Sequence, residues 1–306
     1  MVTLTAADVT AAAVRTAGRV RRTPVLQVGP ALWLKLEQLQ HTGTFKARGA
    51  FNRQLAAQEQ GELDPRRGVV AASGGNAGLA HAHAAAELGV PATVFVPETA
   101  PAVKVGRLRA LGADVRSVGS EYARAYEAAV EFARERGAVF CHAYDQVEVA
   151  AGAGTLALEL VEDLPALDTV VVAVGGGGLF AGVAAALEGR ARVVAVEPEG
   201  APTLHAALAA GAPVDVPVGG VAADSLGARR IGDLGFDLAR RTGPVSLLVD
   251  EDAVRAARQD LWSRFRVVAE HGAATAWAGL QAYEPRPGER VAVVVCGANT
   301  DPSDLR

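Results

Sequence analysis

Thr169-Val170-Val171-Val172-Ala173-Val174-Gly175-Gly176-Gly177-Gly178 decides the architecture of this chain. Six β-branched or small residues in an unbroken run suit a strand buried on both faces, since no alternation leaves a side for water. Four glycines end the run and a helical stretch, expected to begin near Leu179, reaches Leu187. Arg192-Val193-Val194-Ala195-Val196-Glu197-Pro198 then reads as a second strand. The same strand, glycine loop, helix, strand order occurs earlier. Gly68-Val69-Val70-Ala71-Ala72 precedes Ser73-Gly74-Gly75-Asn76, and Ala92-Thr93-Val94-Phe95-Val96 follows an alanine-rich run. A third strand, Val291 to Val295, ends in Cys296-Gly297-Ala298-Asn299.

Parallel strands joined through helices predict an α/β fold, with two open three-layer lobes and mostly parallel sheets. Residues 52–145 are expected to form a small lobe, with 1–51 and 146–306 forming the large one. Ligands of such sheets bind beyond the carboxyl ends of the strands, so loops 73–76, 175–178 and 296–299 should face one cleft. Residues 103–111, 122–136, 252–265 and 273–283 have the apolar spacing of surface helices.

Composition excludes several partners. A net charge of −4 provides no basic stripe for nucleic acid, and 5% aromatic content is too sparse for a base-stacking surface. Cys141 and Cys296 are the only cysteines and lack ligand or disulfide spacing, and none of the six histidines has metal spacing. Residues 1–17 mix Asp8 and Arg15 with alanines, unlike a signal peptide, and no apolar run is long enough to cross a bilayer. A cytoplasmic protein without membrane partners is expected.

Only three lysines accompany twenty-seven arginines, and one lies in Thr42-Gly43-Thr44-Phe45-Lys46-Ala47-Arg48-Gly49. Arginine replaces lysine as a surface charge but not as a nucleophilic amine. With Thr44 as N-cap, Lys46 falls in a first helical turn, where the helix dipole disfavours its charge. Spacing alone leaves two readings open, a reactive amine and a solvent-facing lysine. Gly175 to Gly178 suit an anion, because successive residues without Cβ let backbone N–H groups converge on a phosphate. Gly176, Gly178 and Ala181 also satisfy a dinucleotide fingerprint, with Glu197 roughly 20 residues on as a ribose ligand, so a nicotinamide-dependent oxidoreductase is a second reading.

A reactive lysine, a phosphate cup and a second small-residue loop suit pyridoxal phosphate and an amino acid. The chain resembles the fold-type II pyridoxal-phosphate enzymes, with a tryptophan synthase β-like fold, and within them the serine/threonine dehydratase and serine racemase branch. Thr23-Pro24-Val25-Leu26, Leu34-Lys35-Leu36-Glu37, the segment from Gln40 to Ala50, the tetraglycine loop and Val196-Glu197-Pro198 carry the resemblance in order.

The resemblance implies pyridoxal 5'-phosphate as cofactor, held on Lys46 as a Schiff base, with Phe45 against the ring and Asn76 on its hydroxyl. Gly175, Gly176, Gly177 and Gly178 would hold the phosphate. Ser73, Gly74, Gly75 and Asn76 would bind the substrate carboxylate, and Cys296 would stand beside the ring nitrogen, as in animal-type serine dehydratases. Glu270 falls where relatives place an acidic residue near the ring, and residues 224–227 resemble a stretch lining the cleft. Lys46 would take the Cα proton of L-serine or L-threonine, and β-elimination would yield a 2-oxo acid and ammonia.

Racemase relatives carry a serine base where this chain has Gly74, so racemisation is expected to be weak. They also bind a divalent cation at positions matching Glu197, Ala201 and Thr203, where Thr203 replaces a carboxylate, so no metal is assigned. β-Replacement and racemisation are the alternatives within the fold. A homodimer acting on a small amino acid is expected. Ten residues follow Cys296, so end-product feedback through an appended regulatory domain is not expected.

Overall fold

A computed structural model describes residues 3–305. Positions 1, 2 and 306, which the expected large lobe and the N-terminal reading include, lie outside the described residues. The strands in chain order are β1 (Val25–Gly29), β2 (Leu32–Leu36), β3 (Val69–Ala72), β4 (Ala92–Val96) and β5 (Asp114–Ser117). They continue with β6 (Val139–Cys141), β7 (Thr169–Ala173), β8 (Arg192–Pro198), β9 (Val245–Val249) and β10 (Val291–Val295). One sheet runs β1-β2-β10-β7-β8-β9 and the other β5-β4-β3-β6. All pairings are parallel except the β1–β2 hairpin. The expected fold class is therefore observed.

The unbroken apolar runs serve two faces at once. In β3, Val69 and Ala71 pack with Leu79, Ala82 and Leu108 on one side, while Val70 and Ala72 meet Phe95, Ala125 and Ala129 on the other. Successive strand side chains point to opposite faces, so a central strand covered by helices on both sides has no polar position. β7 and β10 are buried at every residue for the same reason.

The helix Tyr122–Arg136 is the surface helix expected, burying only Ala125, Ala129 and Ala133. The helices at Ala102–Ala110 and Glu251–Phe265 lie within a residue of their expected bounds. The expectation for residues 273–283 is corrected. The helix His271–Tyr283 is internal, buried from Gly272 to Gly279, because it packs under β7, β8, β9 and β10.

On the opposite face the helix Val147–Asp163 crosses the helix Gly178–Leu187 at backbone contact. A Cβ at Gly182 would lie 2.1 Å from the Ala150 carbonyl oxygen, and one at Gly154 would lie 2.4 Å from that of Gly182. This close crossing seats the Gly178–Leu187 helix, whose first turn follows the tetraglycine loop. The lobe division at 51/52 falls inside the helix Lys46–Glu59, which contacts elements on both sides.

Candidate active site

Lys46 is the first residue of the helix Lys46–Glu59. Phe45, in helical φ/ψ, occupies the N-cap position expected of Thr44, but the Thr44 hydroxyl still accepts the Lys46 N–H at 3.1 Å. The turn is held against the end of β10, where Phe45 N–H donates to the Cys296 carbonyl at 3.0 Å and Thr44 bridges Gly297. The Lys46 residue keeps some solvent contact, yet its amine is enclosed. Nζ donates to the Ala143 carbonyl at 2.8 Å, stands 5.0 Å from the Phe45 ring centroid and makes no ion pair among the described residues. Burial lowers its pKa to about 8, with Cys296 and Glu270 opposing the shift. Desolvation thus does what the sequence reading assigned to the helix dipole.

Facing the amine is the glycine cup. Gly177 has φ +88°, a left-handed conformation that a side chain would oppose, and a Cβ at Gly176 would lie 2.4 Å from the Tyr144 ring. Among the described residues, the N–H groups of Gly175, Gly176 and Gly177 donate to no acceptor. Unpaired main-chain donors at the start of the Gly178–Leu187 helix fit an anionic group. One cavity, with about 460 Å³ of atom-free space including its mouth, is lined by Phe45, Lys46, Asn76, Tyr144, Gly175, Gly176, Gly177, Gly178, Leu226, Glu270 and Cys296. A larger open hollow around Arg190, Arg192 and Glu289 lies at the opposite, amino ends of β7, β8 and β10 and contains none of these groups.

The loop 73–76 meets this cavity only through Asn76; Ser73, Gly74 and Gly75 form the turn leading into it. Asn76 Nδ2 donates to both carboxylate oxygens of Glu270, at 2.9 and 3.2 Å. Burial pushes the Glu270 carboxyl up to about 7 despite that hydrogen bond. Burial and the Glu270 charge raise the Cys296 thiol well above its ordinary range, so it is neutral. The enclosed amine, the unpaired donors and the neutral thiol share one cavity, and these features suit an aldehyde-bearing aromatic phosphate such as pyridoxal phosphate.

The sequence places Asn299 in the cleft-facing loop 296–299 but assigns it no role, and it does not mark Tyr144 at all. Tyr144 follows the carboxyl end of β6, the position where the strand-end rule would have looked for it. Its backbone is set by His142 Nδ1, which accepts from Tyr144 N–H at 3.2 Å and Asp145 N–H at 2.8 Å. His41 does not line the cavity and packs on His83 with ring centroids 4.9 Å apart. Arg48 anchors its helix, donating from Nε and Nη2 to buried Glu37 at 2.8 Å each and from Nη1 and Nη2 to Glu159.

Glu197 is corrected as a ribose ligand. Its fully buried carboxylate accepts from Leu204 N–H at 2.7 Å, His205 N–H at 2.8 Å and the Thr203 hydroxyl at 3.0 Å, capping the helix Thr203–Ala210. The Thr203 hydroxyl also reaches the Gly175 carbonyl at 2.6 Å, so this cluster braces the glycine loop. Among the described residues, no group of three or more metal-ligating side chains occurs.

The family model described as pyridoxal-phosphate dependent enzyme matches residues 17–297. The chain is 38% identical over 276 residues to L-threonine ammonia-lyase of Thermotoga maritima, covering 89% of this chain and 68% of that one. It is 38% identical over 297 residues to phenylserine dehydratase of Ralstonia pickettii, covering 92% of this chain and 89% of the relative. The structure of maize serine racemase superposes with a TM-score of 0.91 at 30% identity, covering 98% of this chain and 95% of that one. With its enclosed lysine, glycine cup and Cys296 in one cleft, the chain belongs to the family of pyridoxal-phosphate dependent enzymes.

Proposed function

We propose that this chain is a β-elimination dehydratase that converts L-serine or L-threonine to a 2-oxo acid and ammonia. The observation that carries the reading is an enclosed amine across one cavity from a cup of N–H donors, the amine without a carboxylate partner and the donors without an acceptor among the described residues. Relatives named L-threonine ammonia-lyase and phenylserine dehydratase support the reaction type.

Pyridoxal phosphate, when bound, supplies an aldehyde for an amine to hold and a ring that withdraws charge from the substrate Cα. Lys46 would hold it and offers the base for the Cα proton, since its amine becomes neutral above about pH 8. Gly175, Gly176, Gly177 and Gly178 would bind its phosphate, and Phe45 would pack on the ring. Asn76 would bond the ring hydroxyl, while Ser73, Gly74, Gly75 and Asn76 would take the substrate carboxylate. Cys296 would stand at the ring nitrogen, where a neutral thiol is a weak donor and cannot hold a proton as a carboxylate would. A ring held without that proton would withdraw less charge from the substrate Cα, which would favour elimination.

The same proposal has residues 52–145 as the small lobe, residues 1–51 and 146–306 as the large one, a homodimer and a cytoplasmic location. Among the described residues, no helix is long and apolar enough to cross a membrane.

A second reading, an aryl-substituted hydroxy amino acid, is favoured by the likeness to phenylserine dehydratase over 92% of this chain. The test is ammonia and 2-oxo acid release from L-serine, L-threonine and phenylserine, with borohydride trapping of the cofactor. A colourless protein that stays inactive after addition of pyridoxal phosphate would refute the proposal, as would full activity in Lys46→Ala. Incorporation of added thiol into product would point to β-replacement, and inversion of L-serine to racemisation.

A further inference from the structure

The amide of Asn76 is gripped from both ends. Its nitrogen faces Glu270, and its oxygen accepts from Asn299 Nδ2 at 2.8 Å. The same Asn299 nitrogen donates its other proton to the Thr42 carbonyl, also at 2.8 Å. An asparagine amide has two orientations of nearly equal shape, so only its partners decide which end donates. Turning the Asn299 amide over would set its oxygen against two acceptors, the Thr42 carbonyl and Asn76 Oδ1. Its orientation is therefore dictated by a main-chain group that cannot itself turn over.

Thr42 has φ 59° and ψ 11°, a left-handed conformation that a β-branched residue rarely adopts, and its buried hydroxyl has no partner among the described residues. The neighbouring segments lock that conformation. Ala298 N–H donates to the Gly43 carbonyl at 3.0 Å, and a Cβ at Gly43 would lie 3.1 Å from Asn299 Oδ1. A strained carbonyl, Asn299 and Asn76 thus form a relay of fixed polarity ending at Glu270. It also joins Asn76, from the proposed small lobe, to three residues of the proposed large one.

We infer that Asn299 is a positioning residue, holding the Asn76 amide with its nitrogen toward Glu270 and the cofactor cavity. This rests on the reading that Asn76 contacts bound pyridoxal phosphate. With Glu270 taking one Nδ2 proton, the second is left for an acceptor in the cavity. Removing Asn299 leaves Glu270 as the amide's one remaining partner among the described residues, so the amide can tilt about that contact and its second Nδ2 proton loses its aim into the cavity.

The test uses the full chain reconstituted with pyridoxal phosphate, comparing wild type, Asn299→Ala and Asn299→Asp. The readouts are the visible absorption and circular dichroism of bound cofactor, its dissociation constant, and far-ultraviolet dichroism for folding. Asn299→Ala should weaken cofactor binding about 10-fold, as for loss of one well-placed hydrogen bond, and change the ratio of the cofactor bands. Asn299→Asp should change that ratio more, although its shape is closer to asparagine, because a carboxylate can only accept and draws the Asn76 nitrogen away from Glu270. A purely structural role would rank the variants by shape, with alanine the worse, and that order would overturn the inference. If either variant fails to fold, Asn299→Ser replaces it and should weaken binding and alter the bands as alanine does. A Lys46-dependent wild-type band that the variants reproduce with unchanged affinity overturns this inference alone. A wild-type protein without such a band overturns it together with the functional reading.

Discussion

Replacing Lys46, the residue proposed to carry the chemistry, should make the cofactor-free protein more stable. The Lys46 amine is enclosed and has one carbonyl partner, and its pKa falls from 10.5 to about 8. That drop corresponds to about 3 kcal/mol, and to about 2 kcal/mol once the partial solvent contact of the side chain is allowed for. In the unfolded chain the amine stays protonated up to 10.5. Below about pH 8 both states carry the charge, and the folded state bears the full penalty of enclosing it. Between 8 and 10.5 the folded amine is neutral while the unfolded one still binds a proton, so stability climbs with pH and the penalty disappears above that window. Lys46→Met keeps a long unbranched side chain and removes the charge. Urea unfolding of the cofactor-free proteins should show Lys46→Met ahead by about 2 to 3 kcal/mol near pH 7, with the gap closing as pH approaches 11. A gap that stays constant with pH, or a wild type more stable at neutral pH, would refute the reasoning, since only the titrating amine can produce that profile.

Two glycines separate the cup from the scaffold. Gly176→Ala places a methyl against the Tyr144 ring, which can swing because its hydroxyl has only a 3.3 Å bond to the Arg230 carbonyl; a loss of cofactor affinity of about 10-fold or more with little change in Tm is expected from binding and thermal melting. Gly182→Ala instead meets the Ala150 carbonyl at 2.1 Å, where backbone cannot yield, so thermal melting should show a lowered Tm, from a loss of several kcal/mol. Arg48→Leu strands the buried Glu37 carboxylate and should cost about 3 to 5 kcal/mol in denaturant unfolding, with Arg48→Lys recovering less than half because it lacks the two-pronged contact. At Gly74 a Cβ would make only an ordinary 3.5 Å contact with Val96, so Gly74→Ser should fold normally and raise inversion of L-serine above wild type, measured by chiral chromatography.

The fold was legible where burial alone dictates residue type. β3, β7 and β10 are enclosed on both sides, so their continuous apolar runs mark them without any alternating pattern. β1 left no such mark, since this edge strand is half exposed, and β5, exposed at three of four positions, left none either. The helix His271–Tyr283 was misjudged as a surface helix although its sequence holds a contrary signal. It contains no charged residue and is mostly alanine and glycine, the composition of a helix that must lie flat under four strands.

The candidate site divides along a different line. Lys46, the tetraglycine loop and the 73–76 turn each announce themselves within a few residues, because a nucleophile at a helix start or a loop without Cβ is a local property. The orientation of those groups is not local. Asn299 lies 223 positions from Asn76 in sequence, and its place in the cleft-facing 296–299 loop does not show which group it holds until the β10 end is laid against the Lys46 turn. The same holds for the Ala143 carbonyl, 97 positions from the amine it receives. Residues proposed to supply the chemistry can thus be read from their own neighbourhood, whereas those proposed to fix its polarity become visible only after parallel strands distant in sequence have aligned their carboxyl ends.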